Sequence, residues 1–270
     1  MTSIQSVMSH RWRVPAEPFV VGTRDGVEIA GTRLGDASPE RPALVLAHGL
    51  LGWHRKPRLA RFAEALSPWF TVYALDLRGH GDSGGVSSYG SDEVEDVDAV
   101  VGFTRERNHR RVATMGISMG AIAVVRHAAL SGRIDHVVAI SSLARWGPHD
   151  DDGHAPRARA WRRMRSLTET ERGRRIVRAY GVRLPSGWEP TEAPEEVVGR
   201  IAPTPLLIVH GRDDHLFHER EALRLFEEAG EPKRLLLAER FGHAEDGLSP
   251  SLARRLTRGI YGTWELPWPE

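Results

Sequence analysis

The sequence predicts an α/β fold: a mostly parallel central sheet covered by helices on both faces, with one helical insertion. Three observations carry this. Short, largely apolar runs such as Ala43–Ala47, Thr71–Leu75 and Val137–Ile140 alternate with segments of helical spacing, the pattern of strands buried on both faces. The run beginning at Val112 ends in Gly116-Ile117-Ser118-Met119-Gly120 and passes directly into the apolar stretch Ala121–Val125, which reads as strand, sharp turn, buried helix. The alternation breaks once, between Ser142 and Pro203, where the spacing is helical and no strand pattern is present. A structureless loop of that length is improbable inside a compact domain, so the segment is expected to fold as helices over the strand ends.

Taken in order, Met1 to Pro18 carries little pattern beyond Trp12 and is expected to be a loosely held arm. Phe19-Val20-Val21 and Val27 to Thr32, separated by Arg24-Asp25-Gly26, predict an antiparallel hairpin. Ala43–Ala47 is a buried strand ending in the glycine-bounded turn His48-Gly49-Leu50-Leu51-Gly52. Arg58 to Leu66 places Leu59, Phe62, Ala63 and Leu66 on one helical side. Thr71–Leu75 is the next strand, and Asp76-Leu77-Arg78-Gly79-His80-Gly81-Asp82-Ser83 the loop that follows it. A helix starting near Ser91 or Asp92 turns Val94, Val97, Val100 and Val101 inward and leads to the serine-bearing strand. Beyond the insertion, Pro205–Val209 and Leu235–Leu237 are strands flanking a helix at Glu219–Glu228, and Arg254 to Tyr261 lies in a closing helix. The division that follows is a core of residues 1–142 and 204–270 and a helical lid of residues 143–203.

Composition removes several function classes. The 40% hydrophobic content suits an ordinary globular chain, and no apolar run approaches the ~20 residues needed to cross a bilayer, so no stable membrane insertion is expected. Lys and Arg number 37 against 36 Asp and Glu, which argues against a nucleic-acid partner held by net charge. The absence of cysteine removes disulfides, thiolate metal sites and a thiol nucleophile together. Met1 to Arg13 lacks the apolar core of a secretory signal, and a cytoplasmic protein is expected. Oligomeric state stays open.

The chemistry centres on Ser118. Gly116 and Gly120 leave room for strand and helix to meet closely around a strained corner, which a serine at its apex would occupy at unfavourable backbone angles. A serine hydroxyl is a weak nucleophile at neutral pH and needs a base, a group orienting that base, and donors for the developing oxyanion. Among 13 histidines the base candidate is His243, in Phe241-Gly242-His243-Ala244, after the last strand and before the closing helix. The carboxylate candidates follow the strand ending at Val209, in His210-Gly211-Arg212-Asp213-Asp214-His215. Asp214 is favoured over Asp213 by its place in that turn. The order Ser118, Asp214, His243 is the order in which strand–turn–helix serine hydrolases carry their triad. The oxyanion donors are expected to be the amide of Met119, at the start of the following helix, and that of Leu50, directly after His48-Gly49. His210, His215 and His218 straddle a strand end and a helix start and imply no metal.

On His48-Gly49, Asp76–Ser83, Gly116–Gly120, Asp214 and His243, the chain resembles the serine hydrolases of the α/β-hydrolase superfamily, closest in pattern to the serine aminopeptidase and monoacylglycerol-lipase-like branch. The resemblance runs from about Phe19 to Tyr261. It implies the α/β-hydrolase fold and a cofactor-independent hydrolase cleaving a carboxylic ester of a small or medium acyl substrate through an acyl-enzyme. In that family the Arg78-Gly79-His80-Gly81 loop shapes the strand end, so His80 is not expected to be catalytic. Members with an aspartate at the elbow are dehalogenases or epoxide hydrolases, which Ser118 disfavours. Thioester, amide, lactone and carbon–carbon cleavage remain open with the same triad, as does a ligand-binding receptor that retains it.

The lid segment holds ten arginines between Arg157 and Arg183, against Glu169 and Glu171. Two readings stand: a patch receiving an anionic substrate, or a solvated helix face balanced by Asp150–Asp152 and Glu189–Glu196. Of Trp53, Trp146, Trp161 and Trp188, which could line an acyl pocket or pin the lid to its base, Trp53 and Trp146 are the expected substrate-binding residues, because they follow strand-end loops.

Overall fold

The computed structural model describes residues 4–147 and 155–266. The described residues open with a short helix α1 (Ile4–Met8), and from Ile4 the expected arm is held down rather than loose. His10 lies 3.0 Å from Glu64 Oε1, the Arg13 amide donates to the same carboxylate at 2.6 Å, and Trp12 stacks on His54. The hairpin β1 (Ala16–Gly22) and β2 (Glu28–Leu34) begins earlier than its apolar residues indicate, because Ala16 already pairs with Leu34.

From there strands and helices alternate as β3 (Ala43–Ala47), α2 (Pro57–Leu66), β4 (Thr71–Leu75), α3 (Glu93–Glu106), β5 (Val112–Ile117), α4 (Met119–Ser131) and β6 (His136–Ile140). Pro57 opens α2, where its missing N–H costs nothing. Every residue of β3, β4, β5 and β6 is buried, as expected of strands covered on both faces. Helix α4 is apolar nearly all round because it packs beneath the sheet and beneath other helices as well.

Between β6 and β7 the chain forms α5 (Ala155–Glu169), α6 (Glu171–Ala179) and α7 (Pro194–Val197), the last running into a 3-10 turn, Val198–Ile201. Thr170 caps α6 by accepting from the Gly173 amide. Asp150–Asp152 lie outside the described residues. The end of the expected lid segment differs from the rest: Val198 and Ile201 sit in the main core, and α7 packs on α4. The chain closes with β7 (Leu206–Gly211), α8 (Arg220–Glu228), β8 (Lys233–Ala238) and α9 (Pro250–Thr263). Helix α9 is longer than its apolar stretch because Ser249 caps it, accepting from the Leu252 amide, and Pro250 follows.

The eight strands form one sheet in the order β1-β2-β4-β3-β5-β6-β7-β8, antiparallel at β1/β2 and β2/β4 and parallel elsewhere. The chain runs outward from β3 to β4 and then crosses back to β5, so β3 and β5 flank the point where strand order reverses. Sheets of this kind bind ligands beyond the carboxyl ends of the strands at that point. Among the described residues, no helix is long and apolar enough to cross a membrane.

Candidate active site

Ser118 occupies the corner between β5 and α4 at φ 54° and ψ −116°, a conformation L-residues rarely adopt. The flanking glycines are sterically required. A Cβ at Gly116 would lie 2.1 Å from the Gly120 carbonyl oxygen, and one at Gly120 would lie 2.5 Å from the His48 carbonyl oxygen. The Ser118 amide donates to the Ile140 carbonyl at 2.8 Å, anchoring the corner to β6.

His243, in the loop after β8, has Nε2 3.0 Å from Ser118 Oγ and Nδ1 2.8 Å from Asp214 Oδ2. A carboxylate only accepts, so the ring proton sits on Nδ1 and Nε2 faces the serine hydroxyl as acceptor. Asp214 follows β7 and is fully buried, with Oδ1 accepting the amides of Leu216 and Phe217, each at 2.8 Å. Burial pushes its carboxyl up. The hydrogen bond and charge of His243, the charge of His210 and the Phe217 amide outweigh that and hold it below the usual carboxylate range. Asp213 is exposed. Arg157 of α5 donates from Nε to the Asp214 carbonyl at 3.0 Å, tying the insertion to this loop.

The turn after β3 closes the site from the other side. A Cβ at Gly49 would fall 3.1 Å from that of Ser118, so the backbone leading to Leu50 passes against the serine. Leu50 and Met119 both border the cavity, and the Met119 amide is among the first-turn amides that α4 leaves without a helical acceptor. His48 shapes the turn: Nδ1–H donates to the Gly49 carbonyl at 2.8 Å while Nε2 accepts from the Leu77 amide at 3.0 Å. Burial, reinforced by His80, pushes the His48 imidazole down to about 3, so it stays neutral and keeps both bonds. Asp76, fully enclosed beneath the loop, accepts from the amides of His54 and Asp82 at 2.6 and 2.9 Å. His80 lies edge-on to His48, 4.9 Å between centroids, away from the reacting groups.

Ser118 and His243 open into a cavity of about 1080 Å³ whose wall includes Trp146 but not Trp53. Trp53 is turned away: its indole N–H donates to Ser9 Oγ at 3.0 Å and its ring meets Tyr180 edge-on, so it pins the arm and α6 to the core. Trp161 and Trp188 do line the cavity, along with Phe217, which packs edge-on to His243 at 4.9 Å. Tyr89 lies beyond what the sequence pattern indicates. It sits at φ 58° in the loop before α3, and its ring meets Trp188 edge-on at 5.5 Å. Its position follows from Glu93, a fully buried carboxylate that accepts from the Ser87 hydroxyl, the Ser88 amide and hydroxyl and the Gly90 amide. That wrapping leaves the Tyr89 side chain pointing outward into the cavity. Only the glutamate following Ser-Ser-Tyr-Gly hints at it in the sequence.

A family model described as the alpha/beta hydrolase family matches residues 44–267. Over 233 residues the chain is 29% identical to the uncharacterized protein YqkD of Bacillus subtilis, covering 84% of this chain and 72% of that one. Similarity to the uncharacterized protein YfhR of Escherichia coli K12 is 23% over 236 residues, 82% and 71% of the two chains. Among solved structures, the esterase Pf2001 of Pyrococcus furiosus superposes with a TM-score of 0.72 at 19% identity, over 94% of this chain and 96% of that one. The esterase RhEst1 of Rhodococcus sp. ECU1013 does so with a TM-score of 0.70 at 18% identity, over 91% and 99%.

Proposed function

Because this chain belongs to the alpha/beta hydrolase family, we propose that it is a serine hydrolase cleaving a carboxylic ester of a small or medium acyl substrate through an acyl-enzyme. The observation that carries this reading is the unbroken hydrogen-bond relay from Ser118 through His243 to the buried Asp214, opening onto a cavity large enough for a small-molecule ligand. The esterases that share the fold favour an ester over the other acyl bonds this constellation can attack.

In this mechanism Ser118 Oγ attacks the acyl carbon as its proton passes to His243 Nε2. Asp214 keeps the imidazole in the required tautomer and stabilises the imidazolium. The amides of Leu50 and Met119 receive the oxyanion, each contributing on the order of 3 kcal/mol in the transition state. The tetrahedral centre collapses, the bond to the leaving oxygen breaks, and His243 returns the proton to that oxygen. Water then adds to the acyl-enzyme by the same route and releases the acid and Ser118. The chemistry needs no cofactor and no metal. Helices α5 and α6 serve as a lid, supplying Trp161, Met164 and Arg174 to the cavity wall.

Labelling with a fluorophosphonate, comparing the natural protein with Ser118→Ala alongside p-nitrophenyl esters of graded chain length, tests the reading. Stoichiometric labelling lost in the variant, with ester turnover lost in parallel, is the expected result. A folded natural protein that neither labels nor turns over would rule the mechanism out.

A further inference from the structure

Among the described residues around the cavity, the arginines and the lysine are matched by carboxylates with one exception. Lys56 Nζ lies 3.1 Å from Glu245, Arg58 Nη1 2.7 Å from Asp246, and Arg165 Nε 2.9 and 3.0 Å from the two carboxylate oxygens of Glu169. Arg174, in the first turns of α6, has no carboxylate partner among the described residues. Its guanidinium makes one hydrogen bond there, from Nη1 to the main-chain carbonyl of Glu169 at 2.7 Å. A guanidinium carries five N–H donors, so most of those of Arg174 remain available at the cavity wall. Its charge is felt by Tyr89: burial pushes that phenol up, and Arg174 is the largest influence opposing it.

Lys56, Arg58, Glu245 and Asp246 gather beside the His243 loop, where the leaving group must receive its proton. Tyr89 and Trp188 stand over the elbow helix instead: the loop carrying Tyr89 packs so tightly there that a Cβ at Gly90 would lie 2.6 Å from Ile122 Cγ2. Trp188 meets Trp146 edge-on at 5.1 Å, continuing the aromatic wall. That wall stands on the elbow-helix side of the cavity. A ligand filling this part of the cavity strips water from Arg174. A neutral acyl group leaves the guanidinium desolvated and uncompensated, whereas an anion restores its hydrogen bonds.

We propose that Arg174 forms an anion subsite for the far end of the acyl group, so that the substrate class is esters of acyl chains ending in a carboxylate, with the apolar part of the chain against Tyr89, Trp146 and Trp188. The proposal rests on the serine-hydrolase reading above and specifies its substrate.

The test compares mono-p-nitrophenyl esters of succinate, adipate and suberate with those of butyrate, hexanoate and octanoate. It uses the natural protein, Arg174→Gln and Arg162→Gln, the last an exposed arginine of the same segment. At the best chain length the natural protein is expected to favour the carboxylate-ended ester by about tenfold in kcat/KM. Arg174→Gln is expected to bring that ratio to about one, and Arg162→Gln to leave it in place. A ratio of one or below in the natural protein overturns the subsite, as does a ratio that Arg174→Gln does not change or that both variants lower equally, the mark of a diffuse field from the lid arginines. If neither ester series turns over, it is the catalytic reading that fails. Titration calorimetry with free suberate then decides the subsite separately: binding about tenfold weaker in Arg174→Gln supports it, and equal binding overturns it.

Discussion

His243 Nε2 stands 3.0 Å from Ser118 Oγ across 125 residues of chain. The two side chains come from loops at the carboxyl ends of β5 and β8, which are separated in the sheet by β6 and β7. Groups acting as one relay lose their effect together. Ser118→Ala and His243→Ala should each lower kcat by ~10⁴-fold or more, and the double variant should be little worse than either. Initial rates on a p-nitrophenyl ester, with far-UV circular dichroism confirming the fold, check this; strictly multiplicative losses would contradict a shared step.

Asp214→Asn separates orientation from packing. The amide oxygen can still accept from Leu216 and Phe217, but its NH2 would face the Nδ1–H of His243 and favour the other tautomer. A drop of about 10⁴-fold in kcat with near-native thermal stability is expected. A large fall in Tm would instead assign the residue to the fold.

At the elbow the prediction concerns folding. Gly120→Ala places a methyl 2.5 Å from one backbone oxygen and 2.6 Å from another, neither on a flexible side chain. The variant should lose about 2–3 kcal/mol or more of stability, read by urea denaturation. A fully stable variant would mean that strand and helix do not meet this closely.

Asp76 contributes to the acid limit. Burial pushes its carboxyl up, but His54, His48 and the Asp82 amide bring it down to about 2. A carboxyl depressed in the folded state adds stability that is complete above its unfolded value and is lost as pH falls through the folded one. Unfolding free energy should therefore decline between about pH 4 and pH 2, and Asp76→Asn should flatten that decline. Chemical denaturation across this range measures both slopes.

Two tryptophans should behave differently. Trp146→Ala removes cavity wall and is expected to raise KM for longer acyl chains by about tenfold. Trp53→Phe removes the bond to Ser9, costing about 1 kcal/mol and lowering Tm by a few degrees, with KM unchanged. A chain-length effect from Trp53→Phe would return that residue to the pocket.

The sequence by itself determined the alternation of buried strands and helices, the fold class, and the corner at Ser118 with its glycines, because these depend on local periodicity and on steric limits within a few residues. It also singled out Asp214 and His243 as partners, since strand ends in a parallel sheet converge on one edge. Only the tertiary structure decided which way Trp53 turns, because a side chain after a strand-end loop can face either the cavity or the arm, and the arm carries too little pattern to foresee its packing. Tyr89 and Arg174 were hidden for a related reason. Tyr89 reaches the cavity because the buried Glu93 draws four loop donors around itself, and Arg174 stands apart from Arg58 and Arg165, the other arginines at the cavity wall, in having no carboxylate beside it among the described residues. Both are facts of how separate segments pack, and no local pattern encodes them.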